Sequence, residues 1–411
     1  MRIFFEELKK LWRPRVVVVL ALAGVVYFGM ACAGYIDKDP IGGDIDTGRM
    51  LVAQYGPTLE DEEYADLTQN VIPPLHAALD TQIAADPLAQ KHGIADYDSL
   101  QQFVEDNAPP TPEGSALLSF EDVENLETSP AYDDGLQILF ALNADSITYS
   151  RYESLLKVCT AYQAASQDTG KAQGLGGLDS LGDRDGGNAG IIAFNESVLH
   201  GPDEAWRGIL PFPVDLYTLI YANQALPWLT LSALLLVALP LVGDRLSRMR
   251  AVQWSSRAGR RILFIQFGAS MLSALIWITL NTAIFAALFL RNNYSVFNGA
   301  HMASFLASSQ YMVDMRYGQW YVLLFGMCVL LGLGIAALGF FMARYSENYI
   351  GMLLRLIPLA VAAYLLATRW FSSTASYFFC NLPQIIVFLV VAVGLCIVTC
   401  ARQQHAELLA S

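Results

Sequence analysis

At 411 residues, with 54% hydrophobic and only 15% charged residues and a formal net charge of −13, the chain is too poor in charge for an ordinary soluble globular protein. Its mean hydropathy is +0.38. Its apolar residues are gathered into runs that can cross about 30 Å of hydrocarbon at about 1.5 Å per residue, which points to a membrane protein.

The chain opens on "FFEELKKLW" within 1–15, whose spacing predicts an amphipathic helix. The first span follows at 16–35, "VVVVLALAGVVYFGMACAGY", with no charge inside it. The small-residue "ACAG" at 31–34 offers a signal-cleavage reading. The length of the apolar core and the helix before it favour an uncleaved anchor.

The segment 36–216 separates the first span from the second. It holds 32 of the 38 acidic and 8 of the 25 basic residues, a net of −24 that leaves +11 for the rest. Two opposed regions therefore hide behind one net charge. Within it, 59–83 and 129–166 carry apolar residues at three and four spacing, as in Leu136, Leu139, Phe140 and Ile147, so the domain is expected to be mostly helical. Ser119, three residues before Asp122, is a candidate helix cap. The stretch 170–190 has eight glycines and is expected to be a flexible external loop. It lacks the Lys-Ser/Thr ending of a phosphate loop, and Asp179, Asp183 and Asp185 miss the register of a calcium loop.

Five more spans are expected: 226–243, with Pro227 and Pro240; 262–290, longer than a straight crossing needs; 318–342; 350–367; and 384–401, followed by the tail 402–411. The expected fold is an all-α membrane protein, a six-helix bundle with a mostly helical extracytoplasmic domain. Arg2, Lys9, Lys10, Arg13 and Arg15 put the N-terminus inside, and six crossings place the 244–261 loop, Arg344 and Arg402 on that same side. The acidic domain then lies outside.

Chemistry-bearing residues are sparse. The histidines 76, 92, 200, 301 and 405 never pair at ligand spacing, so neither a metal nor a catalytic site is expected. Cysteines 32, 328, 396 and 400 fall in or beside spans, leaving Cys159 and Cys380, and free thiols are expected. Within spans, Gln266 and Asn281 are expected to bond neighbouring helices. Arg355 either lines a path for an anionic group or snorkels to the interface. Gly332, Gly334, Ala336 and Gly339 make a small-residue stripe suited to close packing.

The loop 243–261, "GDRLSRMRAVQWSSRAGRR", contains six arginines, more than orientation requires. It offers no reader for nucleic acid and a single tryptophan. Leu246, Met249 and Val252 recur every three residues, so the segment can form a short amphipathic helix that lies on headgroups or docks on a soluble partner.

The N-terminal "FFEELKKLWRPR" leading into a span, the long insert, and a D-R-x-x-R-M-R-A-x-x-x-S-S-R-x-G-R-R loop before another span together resemble permease subunits of ABC transporters of the ABC-2 type. The resemblance covers 1–35 and about 226–411. It implies a coupling helix touching a separate ABC ATPase subunit through Asp244, Arg245, Arg248, Met249, Ser255, Ser256, Gly259 and Arg260, with 4–12 as an interfacial helix. Gln266 departs from the lysine that similar proteins often carry there. The chain has no Walker A motif, so ATP is expected on the partner and no cofactor on this chain. A second permease copy, as homodimer or heterodimer, is implied, and export is the expected direction. The alternatives are a mechanotransmitting lever and an ATPase-independent membrane sensor or anchor.

Overall fold

The computed structural model describes residues 2–36, 44–109, 129–145, 147–167, 205–211, 214–246, 262–306, 315–346, 348–366 and 381–410. Among them every regular element is helical, and the one β-bridge joins His301 to Arg316. In chain order the α-helices are α1 (Arg2–Leu11), α2 (Pro14–Tyr27), α3 (Asp44–Tyr55), α4 (Asp61–Asp66), α5 (Ile72–Ala85), α6 (Pro87–His92) and α7 (Tyr97–Asp106). They continue with α8 (Pro130–Asp145), α9 (Ile147–Gln167), α10 (Val214–Leu246), α11 (Ile262–Phe289), α12 (Tyr317–Arg344), α13 (Tyr349–Leu365) and α14 (Asn381–Ala410). The chain divides into two compact units, Met1–Lys38 with Gly174–Ser411, and Asp39–Gln173.

Among the described residues of the larger unit, five helical stretches are long and apolar enough to cross a membrane: Pro14–Tyr35, Val214–Gly243, Ile262–Asn292, Tyr317–Arg344 and Leu382–Gln403. The fifth expected span, 350–367, is the shorter apolar helix α13 of 17 residues. That is about 25 Å, a little less than the hydrocarbon thickness.

Helix α12 is central, packing against α10, α11, α13 and α14. The reason lies in its small residues. A Cβ placed on Gly334 would overlap the Phe388 ring of α14, and one on Gly339 would overlap Leu234 of α10. The stripe thus receives side chains from two different helices, one at each glycine. Gly334→Leu is expected to cost about 2 kcal/mol by overpacking, seen as a lower unfolding temperature in detergent. Gly394→Leu, in a site with nothing within 4 Å, should leave that temperature unchanged.

Helix α10 begins at Val214, well before the expected span at 226. Its first turns carry Asp215, Thr218 and Tyr221, which depress hydropathy but are wholly buried. Thr218 Oγ1 lies 2.8 Å from Tyr317 Oη, and Tyr221 donates to the Phe285 carbonyl at 2.8 Å. Close to this end of the bundle, 205–211 packs with 300–305: Phe305 N donates to Trp206 O, and Ser304 bonds both Gly208 O and Leu210 N.

The smaller unit is a cluster of helices around Leu79, Ile83, Tyr97, Leu100, Ile138 and Tyr152. Asp86 caps α6 by accepting from Leu88 N and Ala89 N, and Gly93 ends it with φ 71°. Between α4 and α5 a π-turn, Leu67–Val71, precedes Pro73 and Pro74, whose missing N–H groups disrupt the ordinary helical ladder. The stretch 129–166, expected to be helical, holds two helices, α8 and α9. The expected cap at Ser119 and the glycine-rich 170–190 lie outside the described residues.

Titratable groups here are held by specific bonds. Tyr97 donates to Glu153, and burial together with that carboxylate raises its pKa. Burial pushes the Cys159 thiol up to about 11, which keeps it protonated and inert. Asp134 Oδ2 accepts from Lys91 Nζ at 2.7 Å and faces His92 Nε2 at 2.8 Å, and these bonds hold its carboxyl below the usual carboxylate range. A depressed folded pKa stabilises the fold above the unfolded value of about 3.9, and that contribution is lost as pH falls through the folded pKa. Asp134→Asn should therefore flatten the decline in melting temperature on acidification below about pH 4. Parallel profiles for the two proteins would contradict this.

Candidate functional site

The sequence singles out 244–261, and the structure fixes the two ends of that loop. Asp244 and Arg245 fall in the last turn of α10, which ends at Leu246, and α11 begins at Ile262. Arg248, Met249, Ser255, Ser256, Gly259 and Arg260 lie outside the described residues. The geometry of the site is accordingly that of the helices that receive the loop.

Helix α11 is gripped at its start by α1. Gln266, one turn after the loop, is buried at 5% exposure, and its Nε2 donates to Glu7 Oε2 at 3.3 Å. The other Glu7 oxygen accepts from Lys10 Nζ at 2.7 Å. Glu7 is itself 8% exposed, a buried carboxylate held by one cation and one amide. Two further contacts lengthen the grip. Phe4 lies over Gly268, 3.7 Å from where a Cβ would stand, and Trp12 Nε1 donates to Ser273 Oγ at 3.2 Å. Trp12 also meets Trp277 edge to face with ring centroids 6.2 Å apart.

This junction is set by local sequence. Phe4, Glu7, Leu8 and Leu11 recur at three and four spacing and so share one helical face, the face that α11 covers. Glu7 therefore sits among apolar residues, where a lone carboxylate is costly, and Lys10 at i+3 partners it. Arg13 breaks the helix with φ −59° and ψ 128°, and Pro14 starts α2 with the fixed φ that suits a first helical position. Helix α1 is thus joined to α2 by covalent bonds and to α11 by side chains.

Other polar side chains tie the bundle internally. Asn281 accepts from Trp228 Nε1 at 3.3 Å and donates to Trp277 O at 2.8 Å, which joins α11 to α10. Trp277 Nε1 donates to Ser232 Oγ at 2.9 Å, and Tyr27 donates to Gln224 O at 2.8 Å. Gln266 and Asn281 both bond neighbouring helices. Arg344, at the end of α12, donates through Nε to Gln403 of α14 at 2.9 Å. Arg355 is exposed on α13 beside Leu354 and Ile357, whereas Met352, Leu356 and Leu359 face the core. It therefore lies on the outside of this chain's bundle.

Sequence reasoning missed Glu7. Its signal was present, because an acid at position 7 interrupts the apolar 4, 8, 11 register and has a lysine three residues on. Among the described residues no group of three His, Cys, Asp or Glu side chains gathers to hold a metal, and cysteines 32, 159, 328, 396 and 400 are free and buried. No family model matches the chain, and comparison with curated proteins and with solved structures gives no match, so the functional reading rests on this geometry.

Proposed function

We propose that the chain is the membrane-spanning permease subunit of an ATP-driven ABC transporter of the ABC-2 type, an exporter moved by a separate ATPase. The observation that carries this reading is the junction at the root of the arginine-rich loop. A push delivered at 244–261 enters α11 directly, and α11 is clamped over its first turns to α1, which continues into α2. One contact surface can thereby move two membrane helices together. The loop carries six arginines, which suits an acidic docking groove.

In this reading α13 is a sixth crossing, short enough that the bilayer thins or Arg355 snorkels beside it. Both termini and the loop are cytoplasmic, and Asp39–Gln173 forms the core of an extracytoplasmic domain. Two copies, or this chain with a related permease, would form the pathway. Purification of the tagged chain from its native membrane in mild detergent tests the reading. A P-loop ATPase should co-elute in stoichiometric amount, and its absence from well-folded preparations would overturn the assignment.

A further inference from the structure

Helix α1 uses only part of its circumference on α11, and the remainder has a chemistry of its own. Ile3 and Phe5 are 38% and 60% exposed, and Arg2, Lys9, Arg13 and Arg15 are exposed around them. Glu6 is the one exposed acid on α1, since Glu7 is buried against Lys10 and Gln266. Arg2 and Lys9 thus lie on the outward side between two uncovered apolar side chains, Ile3 on one flank and Phe5 on the other, with Arg13 and Arg15 just beyond the helix.

The height of this face relative to a bilayer follows from covalent structure. Arg13 and Arg15 flank Pro14, where the first membrane-crossing stretch, Pro14–Tyr35, begins. Residues this close to a span's end lie at the headgroup layer. A helix there whose outward cations, Arg2 and Lys9, lie between two apolar flanks can sink one of them, that of the more exposed Phe5, to the acyl boundary and set its cations against phosphates. Zwitterionic headgroups offer phosphate but cancel its charge with an amine, so net negative lipid is the better match.

We propose that the outward face of α1 is a binding surface for anionic phospholipid, with Arg2, Lys9, Arg13 and Arg15 contacting headgroups and Phe5 inserted beside them. It deepens the transporter reading by naming the lipid class against which α1 works, yet it needs no ATPase. Bound lipid would hold α1 down at the interface while α11 holds its other side, so the lipid sets how firmly the junction is seated.

The test is native mass spectrometry of the full chain in detergent, titrated with phosphatidylglycerol or phosphatidylcholine. The unaltered chain should retain phosphatidylglycerol preferentially. Arg2→Gln/Lys9→Gln, which touches neither the Glu7 bonds nor the positive flank of the span, should lower that preference on the order of fivefold per cation removed. Adding Arg13→Gln and Arg15→Gln should lower it further, and melting temperature without lipid checks that each variant is folded. Equal retention of both lipids, or an undiminished preference in the folded double variant, would overturn the proposal. Cross-linking of this face to a protein in the membrane, with lipid preference unchanged, would do the same. None of these results bears on whether an ATPase co-purifies, so the two readings fail separately.

Discussion

Changing Arg245, Arg248 and Arg250 together to glutamate is expected to reduce recovery of the ATPase partner at least ~10-fold, equivalent to ~1.4 kcal/mol. The direction follows from charge. A cationic helix meeting an acidic groove gains association rate and register from complementary potential, and reversal turns each attraction into a like-charge contact. The magnitude follows from number, since three reversals change the local charge by six. Changing the same residues to glutamine should give an intermediate loss that deepens with added salt, because exposed charges are screened over about 8 Å at physiological ionic strength. The bundle itself should keep its melting temperature, since none of its core residues is altered. Full recovery of the ATPase with the reversed loop would remove the docking role assigned to it.

The second large effect concerns Glu7. Glu7→Ala removes a carboxylate that accepts from both Lys10 and Gln266, taking one hydrogen bond from a buried amide. Lys10 is 24% exposed in its side chain and can turn to water, so the expected loss is about 2 kcal/mol, below that of a fully buried broken pair. Gln266→Leu should cost less alone, and the two changes together should cost less than the sum of the two single losses, because the contact they share is lost only once. In a chain coupled to its ATPase the same variants should uncouple, with ATP turnover retained and transport reduced. Strictly additive losses from the two single changes would show that the Glu7–Gln266 contact is not formed.

The five long apolar helices were legible because eighteen or more uncharged residues in a row have few other destinations. The early start of α10 was not. Asp215, Thr218, Tyr217 and Tyr221 lower the hydropathy of that turn, and the burial of Thr218 and Tyr221 depends on the tertiary partners Tyr317 and Phe285 O. The small residues of α12 were legible as a stripe, but sequence cannot say that Phe388 and Leu234 fill two of its positions. Gln266 and Asn281 behave as polar residues in spans do, by bonding other helices, although the partner of Gln266 is an acid outside any span. That acid was hidden by its surroundings. In "FFEELKKLW" both glutamates look solvent-facing until the helical register puts Glu7 with Phe4 and Leu11.

The claim at the centre is that 244–261 is the surface on which an ATPase pushes. A photo-cross-linking residue at Met249, in the middle of the loop, probes it in native membranes. The expected product is a covalent adduct with a P-loop ATPase subunit, lost when Arg245, Arg248 and Arg250 are reversed. An efficient adduct with lipid alone, or with a protein that has no nucleotide site, would contradict it.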